Sequence, residues 1–351
     1  MHIGWRAKSE MSLATESNVY DNSKQLRRDS SYSSLYDKAY VQARSPAEII
    51  SSFHENVTLK LVIEVIVSVV CFFVGCYGPK VFQRSGYLNI RPIPYQVTQA
   101  GDVLIDLNLA NELIPKSEAT FPGPKLWFVS VWIPFVVCVI IGAIFPLVVS
   151  TLPNNTPFHN AHAGLCTILV AIGLSELVTQ TFKLYVGRLR PNFYKMCGFN
   201  ADSLACSNGE EMEMEARMSF PSGHSSLSFC GMMVLTLFLI GRVGLGRSII
   251  PKTAHGKGKV LLLLSFSPLL LSFWIATSRL TDHWHHPSDI LAGSALGSIC
   301  GFISYHLFFP PVSISTSGVP VSAQNFDATP EGETNHVTLE KSLSLPVCSS
   351  A

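Results

Sequence analysis

Three short segments hold residue types that can do phosphorus chemistry: Lys183 with Arg190-Pro191, then Pro221-Ser222-Gly223-His224, then Ser278-Arg279 with His285 and Asp289. Together they supply three cations, two imidazoles, a hydroxyl and a carboxylate. Such a set can grip a phosphate monoester, attack its phosphorus and protonate the departing oxygen. Phosphoryl transfer asks little more of a protein than positioning and charge stabilisation. Each segment borders a long apolar stretch, which puts the chemistry at a membrane boundary.

Lys183 and Arg190 are seven residues apart, almost two helical turns, so both can point from one helix face. Pro191 disfavours helix at Arg190, so the helix is expected to end there, near water. Arg188 suits snorkelling at the membrane edge. Glu176, one heptad before Lys183, either pairs with it inside the membrane or faces the bundle interior. Pro221-Ser222-Gly223-His224 reads as a helix opening. Proline suits a first turn, glycine lets an oxyanion approach the backbone, and the unpaired amides of a helix start attract phosphate. Ser222 adds a hydroxyl donor, and His224 can donate a proton at the edge of the anion site. An ordinary capped helix start, with a structural histidine, is the competing reading.

Asp289 can accept the Nδ1 proton of His285 and leave Nε2 free to attack, the orienting-carboxylate logic of activated nucleophiles. Arg279 offers a planar fork for equatorial phosphate oxygens. Metal binding by His283, His285, His286 and Asp289 competes with this reading. No second ligand cluster completes such a site in the sequence, and the cations around it oppose a divalent ion. No metal and no cofactor is called for.

The elements that must hold these residues are apolar helices. Of 351 residues, 48% are hydrophobic and 14% charged, a composition that points to several membrane spans. Six windows approach the roughly 20 residues a bilayer crossing needs: about 59–77, 126–150, 163–183, 222–240, 260–276 and 290–309. The expected fold class is all-α, a polytopic membrane protein with six transmembrane helices. Arg242, Arg247, Lys252, Lys257 and Lys259 mark the loop after the fourth span as cytoplasmic. The segment 200–216, with Asp202, Glu210, Glu211, Glu213 and Glu215, suits the opposite side. Both termini are then cytoplasmic, and all three chemical segments meet on the extracytoplasmic or lumenal face. The net charge of +1 makes no case for nucleic acid.

Residues 1–55 and 312–351 are polar and are expected to be disordered cytoplasmic tails flanking a membrane domain over 56–311. Serines beside Arg27, Arg28 and Asp29 are weak phosphorylation candidates. The Asn154-Asn155-Thr156 sequon falls in a loop assigned to the cytoplasm and is expected to carry no glycan. No cleavable signal peptide and no retrieval signal is recognisable, which leaves endoplasmic reticulum and plasma membrane both open. Most cysteines sit in apolar runs and read as small buried residues. Cys197 and Cys206 share a polar loop, where a disulfide is open because spacing does not determine connectivity. Gly293, Gly297 and Gly301 form a small-residue stripe suited to packing within the chain, with a homo-oligomer as the alternative. Pro134, Pro146 and Pro268 are expected to kink their helices.

The motifs as they stand resemble those of the type 2 phosphatidic acid phosphatases, also called lipid phosphate phosphatases. That family's pattern is Lys, six residues, Arg-Pro; Pro-Ser-Gly-His; and Ser-Arg, five residues, His, three residues, Asp, and every position is matched here. The resemblance covers roughly 120–305 and implies a six-helix core of that family's type. It further implies a metal-independent mechanism in which His285 forms a phosphohistidine, His224 protonates the leaving alkoxide and Asp289 orients His285. Lys183, Arg190, Ser222, Gly223 and Arg279 would hold the phosphate. The implied substrates are phosphatidate, lysophosphatidate, sphingoid phosphates and diacylglycerol pyrophosphate, met at the bilayer surface. Other readings are an inactive relative serving as a scaffold, a haloperoxidase with a similar anion cage, and a soluble-phosphate phosphatase. Inactive relatives typically lose one of the two histidines, and both are present here.

Overall fold

Backbone in hydrocarbon must satisfy its own hydrogen bonds, and six long apolar runs do so as helices. The computed structural model describes residues 59–84, 86, 88–144, 156–249, 255–312 and 318–324. In chain order the elements are α1 (Leu59–Arg84), a hairpin of β1 (Tyr95–Val97) and β2 (Val103–Ile105), α2 (Gly123–Ile144) and α3 (Thr156–Val186). There follow α4 (Phe193–Cys197), a second hairpin of β3 (Phe199–Asn200) and β4 (Ala205–Cys206), α5 (Glu210–Ala216) and α6 (Gly223–Ile249). The chain continues through α7 (His255–Leu264), α8 (Ser267–Thr281), α9 (Pro287–Phe308) and a short α10 (Val321–Gln324). Six spans are long and apolar enough to cross a membrane, with α7 and α8 together supplying the fifth, and the chain is a multi-pass membrane protein.

Core packing runs through α6, the most buried of the six spans. Leu227, Cys230, Val234 and Phe238 of α6 meet Ala171 and Ile172 of α3 and Cys300 and Tyr305 of α9. The glycine stripe of α9 faces α6: a methyl added at Gly293 would come 2.5 Å from the Ser222 carbonyl oxygen, and one at Gly301 would come 2.6 Å from that of Cys230. The stripe therefore serves packing within the chain. Among the described residues six cysteines are free, and Cys138, Cys166, Cys230 and Cys300 are buried.

The prolines act differently from expectation. Pro134 lies between two stretches of wide, π-type turns, Phe128–Trp132 and Val136–Ile141, which take up its missing N–H. Pro268 breaks its span rather than bending it: it has no N–H for the Leu264 carbonyl, the chain leaves α-helix at Ser265 and Phe266, and Pro268 sits in the first turn of α8. In the C-terminal stretch read as a disordered tail, α10 forms instead, with Ala323 and the preceding Val319 buried and Ser322 Oγ 3.1 Å from His159 Nδ1 of α3. Residues 1–58 with their phosphorylation candidates, Pro146, the 154–155 part of the sequon, and 325–351 lie outside the described residues.

Because consecutive spans run in opposite directions, one end of the bundle collects the ends of α1, α3 and α8 and the starts of α2, α6 and α9. The two hairpins, α4 and α5 also gather there, around a small core of Phe193, Tyr194, Met196, Ala216 and Trp284. Cys197 and Cys206 are joined as a disulfide, which closes the loop holding β3 and β4.

Candidate active site

Each motif stands where a helix meets a loop. Lys183 is in the last turn of α3, which stops at Val186. Gly187, at φ +57°, then turns the chain in a left-handed conformation open to glycine. Arg190 lies beyond that turn, outside the helix. The expected shared helix face for Lys183 and Arg190 therefore does not exist, and the two meet only because the loop folds back. Pro221 and Ser222 lead into α6, whose first residues are Gly223 and His224. Ser222 is fully buried, and its N–H donates to the Asp289 backbone carbonyl at 2.9 Å, tying the start of α6 to the start of α9. Ser278 and Arg279 end α8, His285 follows in the connecting turn, and Asp289 lies in the first turn of α9.

These loops enclose a cavity of about 270 Å³ lined by Lys183, Arg190, Arg279, His224 and His285, with Lys116, Phe121, Glu215 and Trp284 on its remaining walls. Four cations, Lys116 among them, and two imidazoles thus face one space. A side chain at position 223 would meet the Lys183 Nζ at 3.2 Å, so the glycine lets the ammonium reach the first turn of α6. There the amides of Gly223 and His224 have no intrahelical acceptor. The arrangement fits an anion with several oxygens. Ser222 lies behind this wall rather than on it; its Oγ accepts from Ser225 N–H at 3.4 Å.

The cations are held by fixed partners. Arg190 Nε donates to the Glu215 carbonyl at 2.9 Å, Nη1 donates to the Trp284 carbonyl at 3.3 Å, and the guanidinium lies 4.8 Å over the Trp284 ring. Burial pushes its pKa down to about 10, which leaves it cationic at neutral pH. Arg279 pairs with Asp282, three residues on and one helical turn away, and also donates to Ser278 Oγ at 3.1 and 3.2 Å. Asp282 in turn accepts from the N–H and hydroxyl of Thr120, both at 3.0 Å. That i, i+3 spacing was readable in the sequence and went unread. Ala119, Phe121 and Pro122 belong to the stretch before α2, outside the motifs, yet they form one wall of the site.

The histidines carry defined tautomers. His285 Nδ1 lies 2.7 Å from the Ser219 carbonyl oxygen, and since a carbonyl only accepts, Nδ1 bears the proton and Nε2 keeps its lone pair. Burial, with Arg190 and Lys183 nearby, pushes the His285 pKa down to about 3, so the ring is neutral at pH 7. His224 Nε2 lies 3.0 Å from the Phe121 carbonyl oxygen and by the same logic carries a proton.

The expected hydrogen bond between His285 and Asp289 is replaced. Asp289 Oδ2 stands 3.8 Å from Nδ1 and acts on the ring as a charge, while the Ser219 carbonyl occupies the bonding direction. Asp289 has no solvent exposure, and its oxygens accept from Arg188 Nη1 at 2.6 Å, Ser219 Oγ at 2.6 Å and the His286 N–H at 2.9 Å. Ser219 thereby bridges the carboxylate and the imidazole. Arg188, expected to snorkel, is instead the cation closest to Asp289, and also donates to Ser288 Oγ at 2.7 Å. Neither Ser219 nor Arg188 carried a sequence signal for these roles. Glu176 bonds Gln180 at 3.0 Å rather than Lys183. Among the described residues no group of three or more His, Cys, Asp or Glu side chains is arranged to hold a metal ion.

The family model described as the PAP2 superfamily matches residues 164–312. "Lipid phosphate phosphatase 1" of Arabidopsis thaliana is 32% identical over 197 residues, covering 50% of this chain and 58% of that protein. "Probable diacylglycerol pyrophosphate phosphatase 1" of Schizosaccharomyces pombe is 31% identical over 211 residues, 57% of this chain and 71% of that protein. "Phospholipid phosphatase 1" of Rattus norvegicus is 30% identical over 209 residues, 54% and 69%. No solved structure gives a significant match.

Proposed function

The chain belongs to the PAP2 superfamily, and on that premise we propose that it is an integral membrane lipid phosphatase that hydrolyses phosphatidate and related lipid phosphate monoesters to the dephosphorylated lipid and inorganic phosphate. The observation that carries this reading is the cavity at one end of six apolar helices, lined by Lys183, Arg190, Arg279, His224 and His285. Acyl chains stay in the bilayer while the headgroup reaches the cations. Relatives whose names include lipid phosphate, phospholipid and diacylglycerol pyrophosphate phosphatases support the substrate class.

In the proposed cycle Lys183, Arg190 and Arg279 bind the phosphoryl oxygens, with the amides at the start of α6 completing the grip. The lone pair of His285 Nε2 attacks phosphorus as the ester P–O bond breaks. In its imidazolium form His224 gives its Nδ1 proton to the leaving oxygen while its Nε2–H stays on the Phe121 carbonyl, and the dephosphorylated lipid departs. Water then attacks the phosphohistidine, His224 accepts its proton, and the P–N bond breaks to release inorganic phosphate. Asp289 stabilises the positive charge that develops on His285, through the field of its carboxylate and through Ser219. The distribution of basic residues supports a topology with both termini cytoplasmic and this site on the extracytoplasmic or lumenal face.

The test is phosphate release from phosphatidate in detergent micelles with EDTA present, wild type against His285→Ala. Release that survives EDTA and disappears in the variant is expected. Release persisting in His285→Ala would overturn the nucleophile, and no release from any lipid phosphate by wild type would overturn the function.

A further inference from the structure

A second cavity, of about 400 Å³, opens beside the first between α1, α2, α3 and α6. The two share Gly123, Lys183 and His224 as a common wall. Most of its surface is apolar, with Phe72, Leu126, Trp127 and Leu227. Polar side chains interrupt it, Glu176 and Gln180 from α3 and Tyr77 and Lys80 from α1. On that helix Glu176, Gln180 and Lys183 stand at i, i+4 and i+7, on one face. Gln180 lies about 4.5 Å and Glu176 about 10 Å along the axis from Lys183, at ~1.5 Å per residue.

A carboxylate inside a span is costly and calls for a partner. Among the described residues its hydrogen-bond partner is Gln180, whose Nε2 donates to Glu176 Oε2 at 3.0 Å, rather than a basic side chain. That bond turns the amide oxygen of Gln180 away from the carboxylate. The pair therefore offers the cavity mainly acceptors: the second Glu176 oxygen and the Gln180 carbonyl. A ligand that supplies a hydroxyl or an ammonium satisfies them; an ester carbonyl does not, because acceptor would face acceptor.

We propose that Glu176, with Gln180, is a specificity-determining site that reads a hydrogen-bond donor on the leaving group, next to the phosphorylated carbon. The inference rests on the lipid phosphatase reading above. If His224 protonates the leaving oxygen, that oxygen lies at the wall the cavities share, and the body of the leaving lipid extends into the second one. A donor one or two carbons beyond it comes level with Gln180, whose amide Glu176 orients from the turn below. The class so favoured is a lipid phosphate with a free neighbouring hydroxyl or amine, a monoacylglycerol phosphate or a sphingoid phosphate, over its fully acylated counterpart.

The experiment compares kcat/KM for a 1-acyl lysophosphatidate and for its 2-deoxy analogue, which lacks only the free hydroxyl, in mixed micelles. Wild type is expected to favour the hydroxyl substrate by roughly 10- to 100-fold, below the largest discriminations known for hydroxyl-reading sites because Glu176 is only half buried. In Glu176→Leu the ratio should collapse to within about threefold of one, while Glu176→Gln, which retains a carbonyl acceptor, should keep part of it. Equal use of both substrates by wild type overturns the proposal without any variant, so a misfolded Glu176→Leu cannot rescue it. An unchanged ratio in folded Glu176→Leu also overturns it. Hydrolysis of neither substrate by wild type overturns the phosphatase reading, and this inference with it; equal hydrolysis of both removes this inference alone.

Discussion

Replacing Gly293 by alanine tests whether the seam between α6 and α9 sets the geometry of the site. The added methyl would lie 2.5 Å from the Ser222 carbonyl oxygen, 3.1 Å from Ser225 Cβ and 3.3 Å from the Ser226 nitrogen. Ordinary contact begins near 3.4 Å, so the seam must open by 3.4 − 2.5 = 0.9 Å at this point. The atoms displaced are backbone of Ser222 on one side and α9 on the other, and neither can rotate away as a flexible side chain would. Ser222 N–H is also bonded to the Asp289 carbonyl at 2.9 Å, so the shift falls on the junction of the two helices that carry His224 and Asp289. A misplacement of about 1 Å costs on the order of 100-fold in rate where catalysis depends on alignment. Overpacking adds roughly 1–3 kcal/mol of destabilisation. The assay is phosphate release under saturating lipid phosphate, with thermal unfolding in detergent as the check on folding. Gly293→Ala should lose about 100-fold in kcat while remaining folded. Gly301→Ala, with a contact of 2.6 Å at Cys230, farther from the site, should lose less. Gly78→Ala, whose methyl would meet only Val74 Cγ1 at 3.8 Å, is the control. A folded Gly293→Ala enzyme with wild-type kcat, or a Gly78→Ala loss as large, would refute the reasoning.

Arg188→Ala leaves the buried Asp289 carboxylate without its cation; since the Arg188 side chain is 30% exposed and water can replace part of the bond, the expected loss is about 2 kcal/mol, with lower kcat and little change in KM. A rise in KM at constant kcat and stability would instead make Arg188 a direct phosphate ligand. Stability should also fall on acidification. Burial lowers the folded pKa of His285 from 6.5 to about 3, so the unfolded chain binds a proton that the fold refuses, and stability present above pH 6.5 is lost as pH falls toward 3. At pH 5 the share from this residue is about 2 kcal/mol relative to pH 7. The drop in thermal midpoint from pH 7 to 5 should shrink by that share in His285→Gln, and an identical drop in both would refute it.

The six spans were legible because hydropathy is a property of the chain itself, and the structure moved their ends by up to nine residues, at the end of α6. α3 runs to Val186 rather than Lys183, and α1 to Arg84 rather than residue 77. Pro268 was legible as a disturbance of the fifth span, and the structure made it a break between α7 and α8 rather than a bend. The cavity-lining cations and histidines were legible from residue type and spacing. Their partners were not. Arg279 with Asp282 is the exception, since one helical turn joins them.

By itself the sequence determined which side chains could do phosphorus chemistry and that apolar helices must carry them, because side-chain chemistry and hydrophobic length are local. Tertiary structure decided how those side chains are set. The Ser219 carbonyl, 66 residues from His285, selects its tautomer. The Phe121 carbonyl, 103 residues from His224, holds its proton. Arg188, 101 residues from Asp289, neutralises the carboxylate. Such pairings arise only when helices pack and the loops at one end of the bundle close over each other. Spacing along a chain cannot encode them, because the directions of hydrogen bonds follow from how separate elements are placed in space.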